Sequence, residues 1–266
     1  MFICVHLWLD PSAFLSGVPQ WRTMAAMRYL MSAAISGIVV ALLAAAADTI
    51  PASGGNITIV PINHATLQIA HGQHVIDVDP VAQANFGTLP PPSIILVTDI
   101  HPDHLDPASI AKLKKATTTV VAPAAAAGKL TGATVIANGE IKTVDGVTIE
   151  AVPMYNLQRG PAAGQLFHDK GRGNGYIVTL GGKRIYIAGD TECTPEMKAL
   201  KNIDVAFVPM NLPYTMPPSE AAECVKAFKP TIVYPYHYRG QNLDEFASAL
   251  KSTGVDVRIR DWYAAK

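Results

Sequence analysis

From Ile57 onward the chain sets short apolar runs between Gly, Pro and Asn, which is the punctuation of strands. "ITIVPI", "ATLQIA" and "HVIDVDP" follow one another so closely that they predict three strands joined by tight turns, an antiparallel meander. "SIILVTD" has no polar face until its end, as expected of a strand covered on both sides. In "DPASIAKLKKA" Asp106 can accept hydrogen bonds from the free N–H groups of a helix, and Pro107 suits the first helical position. "TTTVVAP" predicts a strand, then comes a short helix to about Leu130, and "ATVIA" predicts the next strand.

The rhythm then restarts. "IKTVD" with "VTIEAVPMYN", and "GYIVTL" with "KRIYIAGD" around Gly181 and Gly182, predict hairpins separated by a loop rich in Gly and charge over 158–174. "TPEMKAL", "DVAFVPM", "PSEAAECVKAF", "TIVYPYH", "LDEFASALKS" and "DVRIR" alternate helix with strand to the end. Two blocks of meander followed by alternation predict an α/β fold: two mixed sheets face to face with helices outside both, a four-layer αββα sandwich.

The stretch "MRYLMSAAISGIVVALLAAAADTIP" breaks this pattern. Arg28, an uncharged apolar run from Tyr29 and small residues before Asp48 have the layout of a signal peptide over residues 27–47, with cleavage near Ala47 and Asp48. Retained, the run approaches the roughly 20 residues that cross a bilayer and would act as a membrane anchor. Residues 1–26 carry no periodic pattern and are read as an unstructured extension, with Met24 or Met27 as the initiator. The folded domain is therefore expected over 48–266, in the periplasm or secreted. Export would allow Cys193 and Cys224 to pair, but without metal-type spacing they read more readily as small buried hydrophobes. An apolar content of 49% suits a globular chain, and 21 basic against 21 acidic residues leave no basic face for nucleic acid.

Titratable residues gather where apolar strands run out. "VTDIHPDHLD" brings Asp99, His101, Asp103 and His104 into one turn, Asp190 ends "RIYIAGD", and His237 ends "TIVYPYH". Neutral imidazole nitrogen mixed with anionic carboxylate oxygen suits Zn, Mn or Fe at neutral pH.

On these residues the chain over about 57–259 resembles the metallo-β-lactamase superfamily, in the metal-dependent hydrolase branch that includes ascorbate 6-phosphate lactonase-like proteins. That family carries H-x-H-x-D-H after a strand, G-D-T with a metal-bridging Asp, and a late His at a strand end. Here the pattern falls on Asp99, His101, Asp103 and His104, on Gly189, Asp190 and Thr191, and on His237. "NHATLQI" and "IDVDP" resemble the branch's "GHAS" and "IDP" opening, which places His64 near the site, and "YTMPPSEAAECVKAFKP" resembles its segment between the last core strands. Two positions depart from the pattern. Asp99 stands where the family has a first His, and Tyr155 and Asn156 in "AVPMYN" stand where it has another.

The resemblance implies metal ligands Asp99, His101, Asp103, His104, Asp190 and His237, with His168 of "LFHDKGRGNGY" folding back to supply the missing nitrogen. His64, Tyr155 and Asn156 would lie against those ligands. It also implies one or two divalent ions, Zn before Mn or Fe, and hydrolysis by a metal-bound hydroxide that Asp103 orients. Tyr214, Asn211 or Tyr155 would donate to the developing oxyanion. The expected function is an exported hydrolase of a small lactone or phosphodiester, with no nucleic-acid partner and no membrane contact beyond an uncleaved N-terminal segment. The competing expectation is a metal- or ligand-binding protein with a degenerate site and little hydrolysis. Di-iron oxygen chemistry is disfavoured, because such relatives carry H-x-E-x-D-H and a flavin domain.

Overall fold

Strand pairing follows the order of the sequence in both halves. A computed structural model describes residues 47–263; the extension expected over 1–26 and the signal peptide expected over 27–47, but for its last residue, lie outside them. In the first sheet β1 (Asp48–Ile50), β2 (Ile57–Asn63), β3 (Thr66–His71) and β4 (His74–Val78) run antiparallel. Next to them β5 (Ile94–Leu96), β6 (Thr119–Ala122) and β7 (Thr134–Val135) add in parallel. The second sheet repeats this plan. Its antiparallel part is β8 (Ile141–Val144), β9 (Val147–Met154), β10 (Gly173–Leu180) and β11 (Lys183–Ile187), and its parallel part is β12 (Val205–Pro209), β13 (Ile232–Tyr236) and β14 (Asp256–Val257).

Side-chain alternation makes the layers. Ile94 and Leu96 of β5 point into the core between the sheets, with Ile57, Leu67 and Ile76 from one side and Ile149, Tyr176, Ile185, Phe207 and Tyr234 from the other. The intervening Ile95 and the following Val97 point outward onto Ile110 of α1 (Pro107–Leu113) and Ala126 of α2 (Ala124–Ala127). This is why "SIILV" shows no polar face. On the far side Ile177, Tyr186, Ala206 and Val233 meet Met197 of α3 (Pro195–Lys198), Ala221 and Val225 of α4 (Pro218–Phe228), and Phe246 and Leu250 of α5 (Leu243–Leu250). The result is the four-layer αββα sandwich, each fully buried aliphatic or aromatic side chain contributing roughly 1.5–3 kcal/mol of hydrophobic burial.

Local chemistry sets the helix starts as expected for α1, where Asp106 accepts from the backbone N–H of Ala108 at 3.0 Å and of Ser109 at 3.3 Å. Three features differ from the expectations. Strand β1 was not anticipated, since "DTI" is too short to show a period; it is held by Asp48, which accepts from the Tyr234 hydroxyl at 2.6 Å and the Arg260 guanidinium at 2.8 Å. Helix α2 stops at Ala127, short of Leu130. Cys193 and Cys224 are joined as a disulfide with Cα atoms 5.5 Å apart, which corrects their reading as separate buried thiols. Their separation of 31 residues carries no geometry; packing of α4 against the segment after Asp190 creates it.

Candidate metal centre

Parallel strands in both sheets deliver the polar residues to one edge of the sandwich, and that edge is closed by the contact of His237 N–H with the His64 carbonyl at 3.2 Å. At the end of β4, Asp79 turns into the left-handed region with φ of 45°. Its carboxylate accepts from the Thr98 backbone at 2.7 Å, the Thr98 hydroxyl at 2.6 Å and His104 Nδ1 at 2.8 Å. Burial pushes the Asp79 carboxyl up, against the charge of His104. With Nδ1 donating to Asp79, His104 presents the lone pair of Nε2 to the centre. That atom lies 3.3 Å from Asp190 Oδ2 and 4.0 Å from Asp103 Oδ2.

Gly189 makes the sharp turn that aims Asp190. Its φ is 68°, and a Cβ there would meet Met154 Sδ at 2.4 Å, so both the conformation and the space require glycine. The Asp190 carboxylate is the hub: Oδ2 faces His104 Nε2 and His168 Nε2, each at 3.3 Å, and Oδ1 faces His237 Nε2 at 3.3 Å. His237 Nε2 also lies 3.5 Å from Asp103 Oδ2.

Asn156 decides the state of His168. Its Nδ2 donates to Glu192 Oε1 at 3.0 Å and to the Tyr214 carbonyl at 2.9 Å, so its Oδ1 is the atom that faces His168 Nδ1, at 2.5 Å. His168 therefore donates from Nδ1 and offers Nε2 to the centre. The same Nε2 is 3.9 Å from Asp99 Oδ2, and Asp99 Oδ2 is 2.9 Å from His101 Nδ1. Ligand-type atoms thus collect in three triads, Asp99, His101 and His168; His104, Asp190 and His237; and His64, Asp103 and His237, the last two sharing His237 and the atoms of each lying within 4.8 Å of one another.

These atoms fit a cation. Among the described residues, His104 Nε2, His168 Nε2, His237 Nε2 and Asp190 Oδ1 are buried with no hydrogen-bond partner. A single orphaned buried group costs about 1–3 kcal/mol, and orphans converging on one carboxylate form a nitrogen and oxygen donor set suited to Zn, Mn or Fe. The electrostatics agree in direction. Burial opposes charge on Asp190, yet His237 and His104 outweigh it and hold the carboxyl well below its usual range. Burial likewise opposes ionisation of Asp103, and the neighbouring His237 and His64 imidazoles hold it low. At His104 burial opposes positive charge, but the Asp190 and Asp79 carboxylates favour it, and the same field would hold an ion at Nε2 in place of a proton. Burial lowers His64 to about 4. Its ring lies tilted against that of His237 with centroids 3.6 Å apart, its Nε2 is 3.3 Å from Asp103 Oδ2, and its Nδ1 is 2.5 Å from the Tyr263 hydroxyl.

Three expected donors are not brought to the cluster. The Tyr155 hydroxyl donates to Glu196 at 2.9 Å, with Lys170 over its ring, because the backbone of Tyr155 is tied to Thr191 and leaves the ring on the outer side of the turn. Tyr214 is half exposed and packs on Phe167 at 5.1 Å; only its carbonyl reaches the site, through Asn156. Asn211 closes a turn through its backbone, donating to Thr215 Oγ1 at 2.7 Å and accepting from the N–H groups of Tyr214 and Thr215. Other residues were not singled out from sequence. Asp79 is the second acid of "IDVDP", and an acid between a buried strand and a proline was a usable signal. Glu192, buried and accepting from Leu157 N at 3.2 Å and Arg159 N at 2.8 Å, fixes the segment carrying Asn156, and nothing local marks it. Arg172, which donates to Asp99 from Nε at 3.1 Å and Nη2 at 3.0 Å, was lost among the charges of a loop.

The family model of the beta-lactamase superfamily domain matches residues 58–237. The chain belongs to the metallo-β-lactamase superfamily. Within it, the similarity is to the metal-dependent hydrolase branch. A UPF0173 metal-dependent hydrolase of Symbiobacterium thermophilum is 30% identical over 225 residues, covering 74% of this chain and 93% of the relative. Another, from Pyrococcus abyssi, is 35% identical over 191 residues, covering 66% and 82%. A solved structure from Parabacteroides distasonis ATCC 8503, assigned to the metal-dependent hydrolases, is 44% identical with a TM-score of 0.77, covering 81% of this chain and 98% of that one. Metallo-β-lactamase membership and the sandwich therefore agree with the resemblance read from the motifs.

Proposed function

We propose that this member of a metal-dependent hydrolase family cleaves a small lactone or phosphodiester outside the cytoplasm, using divalent metal held around Asp190. The observation that carries the reading is the convergence of His104, His168 and His237 Nε2 atoms on the Asp190 carboxylate, each at 3.3 Å. His104, His237, Asp103 and Asp190 would hold one ion, and His101, His168, Asp99 and Asp190 another. When bound, such an ion supplies Lewis acidity, lowering the pKa of a water and polarising the bond under attack.

The chain's own residues supply the rest. Asp103 is the carboxylate of the cluster that also meets solvent, its side chain 46% exposed, so its Oδ2 can accept a hydrogen bond from an incoming water and orient it. Oδ2 lies 3.3 Å from His64 Nε2, and His64 Nδ1 continues to the Tyr263 hydroxyl, a chain of groups along which a proton can leave Asp103. Asp79 and Asn156 keep His104 and His168 in the tautomers that present Nε2. The buried Cys193–Cys224 disulfide supports the extracytoplasmic part of the reading, because cytosolic thiols are kept reduced.

The test is metal content of the purified chain, followed by turnover of lactone, phosphodiester and β-lactam panels. Bound divalent metal with lactone or phosphodiester turnover is expected; a chain that takes up none would favour a ligand-binding role. Asp103→Asn should keep the fold and much of the metal while losing on the order of 100-fold in rate, the scale of a misplaced nucleophile. Unchanged turnover in that variant would remove Asp103 from the mechanism.

A further inference from the structure

The departure at Asp99 comes with a partner that no motif contains. Asp99 is fully buried, and Arg172 grips it with both arms of the guanidinium: Nε to Oδ1 at 3.1 Å and Nη2 to Oδ2 at 3.0 Å. The same Oδ2 is turned toward His101 Nδ1 at 2.9 Å and His168 Nε2 at 3.9 Å. Of these two nitrogens His168 Nε2 is buried without a hydrogen-bond partner, so the ion pair stands at the rim of the unfilled donor set as well as in the fold.

Backbone pairing delivers the arginine. Arg172 immediately precedes β10, whose Asn174 N–H donates to the Thr98 carbonyl at 2.9 Å, one residue before Asp99. At Gly173 a Cβ would lie 2.8 Å from that carbonyl and 2.2 Å from Met154 Cε, so only glycine lets the loop pass this close. The backbone bond from Asn174 at the start of β10 to Thr98 in the segment after β5 therefore fixes Arg172 beside Asp99.

We propose that Arg172 is a charge-setting and positioning residue that makes Asp99 the electrical equivalent of the neutral histidine it replaces. A guanidinium stays charged at any working pH, so the pair together carries zero net charge, as an imidazole does, while offering oxygen in place of nitrogen. The fork engages both carboxylate oxygens, which holds Asp99 to one-oxygen contact with the His101 and His168 side of the centre. Asp99 then adds no net charge beyond that of Asp103 and Asp190, and the position remains open to Zn as well as to harder ions. The inference rests on the metal reading of the preceding subsection.

Metal-stripped parent chain, Arg172→Gln and Arg172→Lys are dialysed to equilibrium against ZnCl2 and MnCl2, singly and in competition, and bound metal per chain is counted. The parent is expected to hold two ions. Arg172→Gln, which keeps a donor but removes the charge, should shift the Zn to Mn preference of the second ion roughly 10- to 100-fold toward Mn, the usual scale for residues that support a metal ligand. Arg172→Lys restores the charge and should return the preference most of the way to that of the parent. Asp99→His alone, which leaves the guanidinium beside an imidazole ligand, should lose the second ion, and Asp99→His with Arg172→Leu should recover it. A parent without metal overturns the metal reading and this inference together. A parent that stops at one ion, or a two-ion parent whose preference is unchanged in Arg172→Gln, overturns this inference alone. If Arg172→Gln does not fold, a Zn to Mn preference in Arg172→Lys shifted far from the parent would overturn the charge argument by itself.

Discussion

Asp79 shows how much a single residue outside the ligand set can control. Its carboxylate takes the Nδ1 hydrogen of His104, and that bond is what leaves Nε2 free to face Asp190. Asp79→Asn should lower metal affinity roughly 10- to 100-fold, read by competition with a chelator, with the far-ultraviolet circular dichroism unchanged. Asp77, two residues earlier, accepts from Gln68 Nε2 at 2.7 Å, while its second oxygen has no hydrogen-bond partner. Burial raises its pKa from 3.8 to about 7, against the Gln68 bond. Between those values the folded chain keeps a proton that the unfolded chain releases, so this contribution to stability falls as pH rises, by at most about 1.4 kcal/mol per pH unit. Urea unfolding from pH 4 to pH 8 should show that slope in the parent and lose it in Asp77→Asn. At this scale His101, His104, Asp190 and His237 were legible because His and Asp at strand ends are chemically conspicuous. Arg172 and Glu192 were not, because a charged residue in a loop looks the same whether it faces solvent or a buried carboxylate.

At the scale of elements, the apolar runs were read with little error wherever alternation or complete burial left a pattern, as in β2 to β5 and β10 to β13. Strand β1 escaped because its existence depends on pairing with β2 and on the grip of Tyr234 and Arg260 on Asp48, partners about 190 to 210 residues away. The disulfide is a second product of assembly. It ties the segment carrying Asp190 and Glu192 to α4, and its loss should cost roughly 2–4 kcal/mol. Thermal unfolding with and without reductant, and of Cys193→Ser with Cys224→Ser, should show the same lowered midpoint. A midpoint insensitive to both would mean that the bridge does not form in solution.

For the whole molecule, the centre draws Asp99 and His104 from the end of the first sheet and Asp190 and His237 from the end of the second, so an ion there binds the folded arrangement and not the unfolded chain. Chelation should therefore destabilise the entire described domain, by about 4 kcal/mol for an ion previously present at a thousandfold excess over its dissociation constant. The loss should appear as one cooperative shift in urea unfolding that added Zn reverses. The layered fold was legible along the chain, because period and burial are written locally in each strand, and so was the placing of metal-type residues at the strand ends. Which groups meet was not. That Asn156 holds His168 by Nδ1, that Arg172 pairs with Asp99, and that Tyr155 faces Glu196 instead of the cluster emerged only from the assembled chain. The direction of a loop side chain depends on partners far away in the chain, and no local period records them.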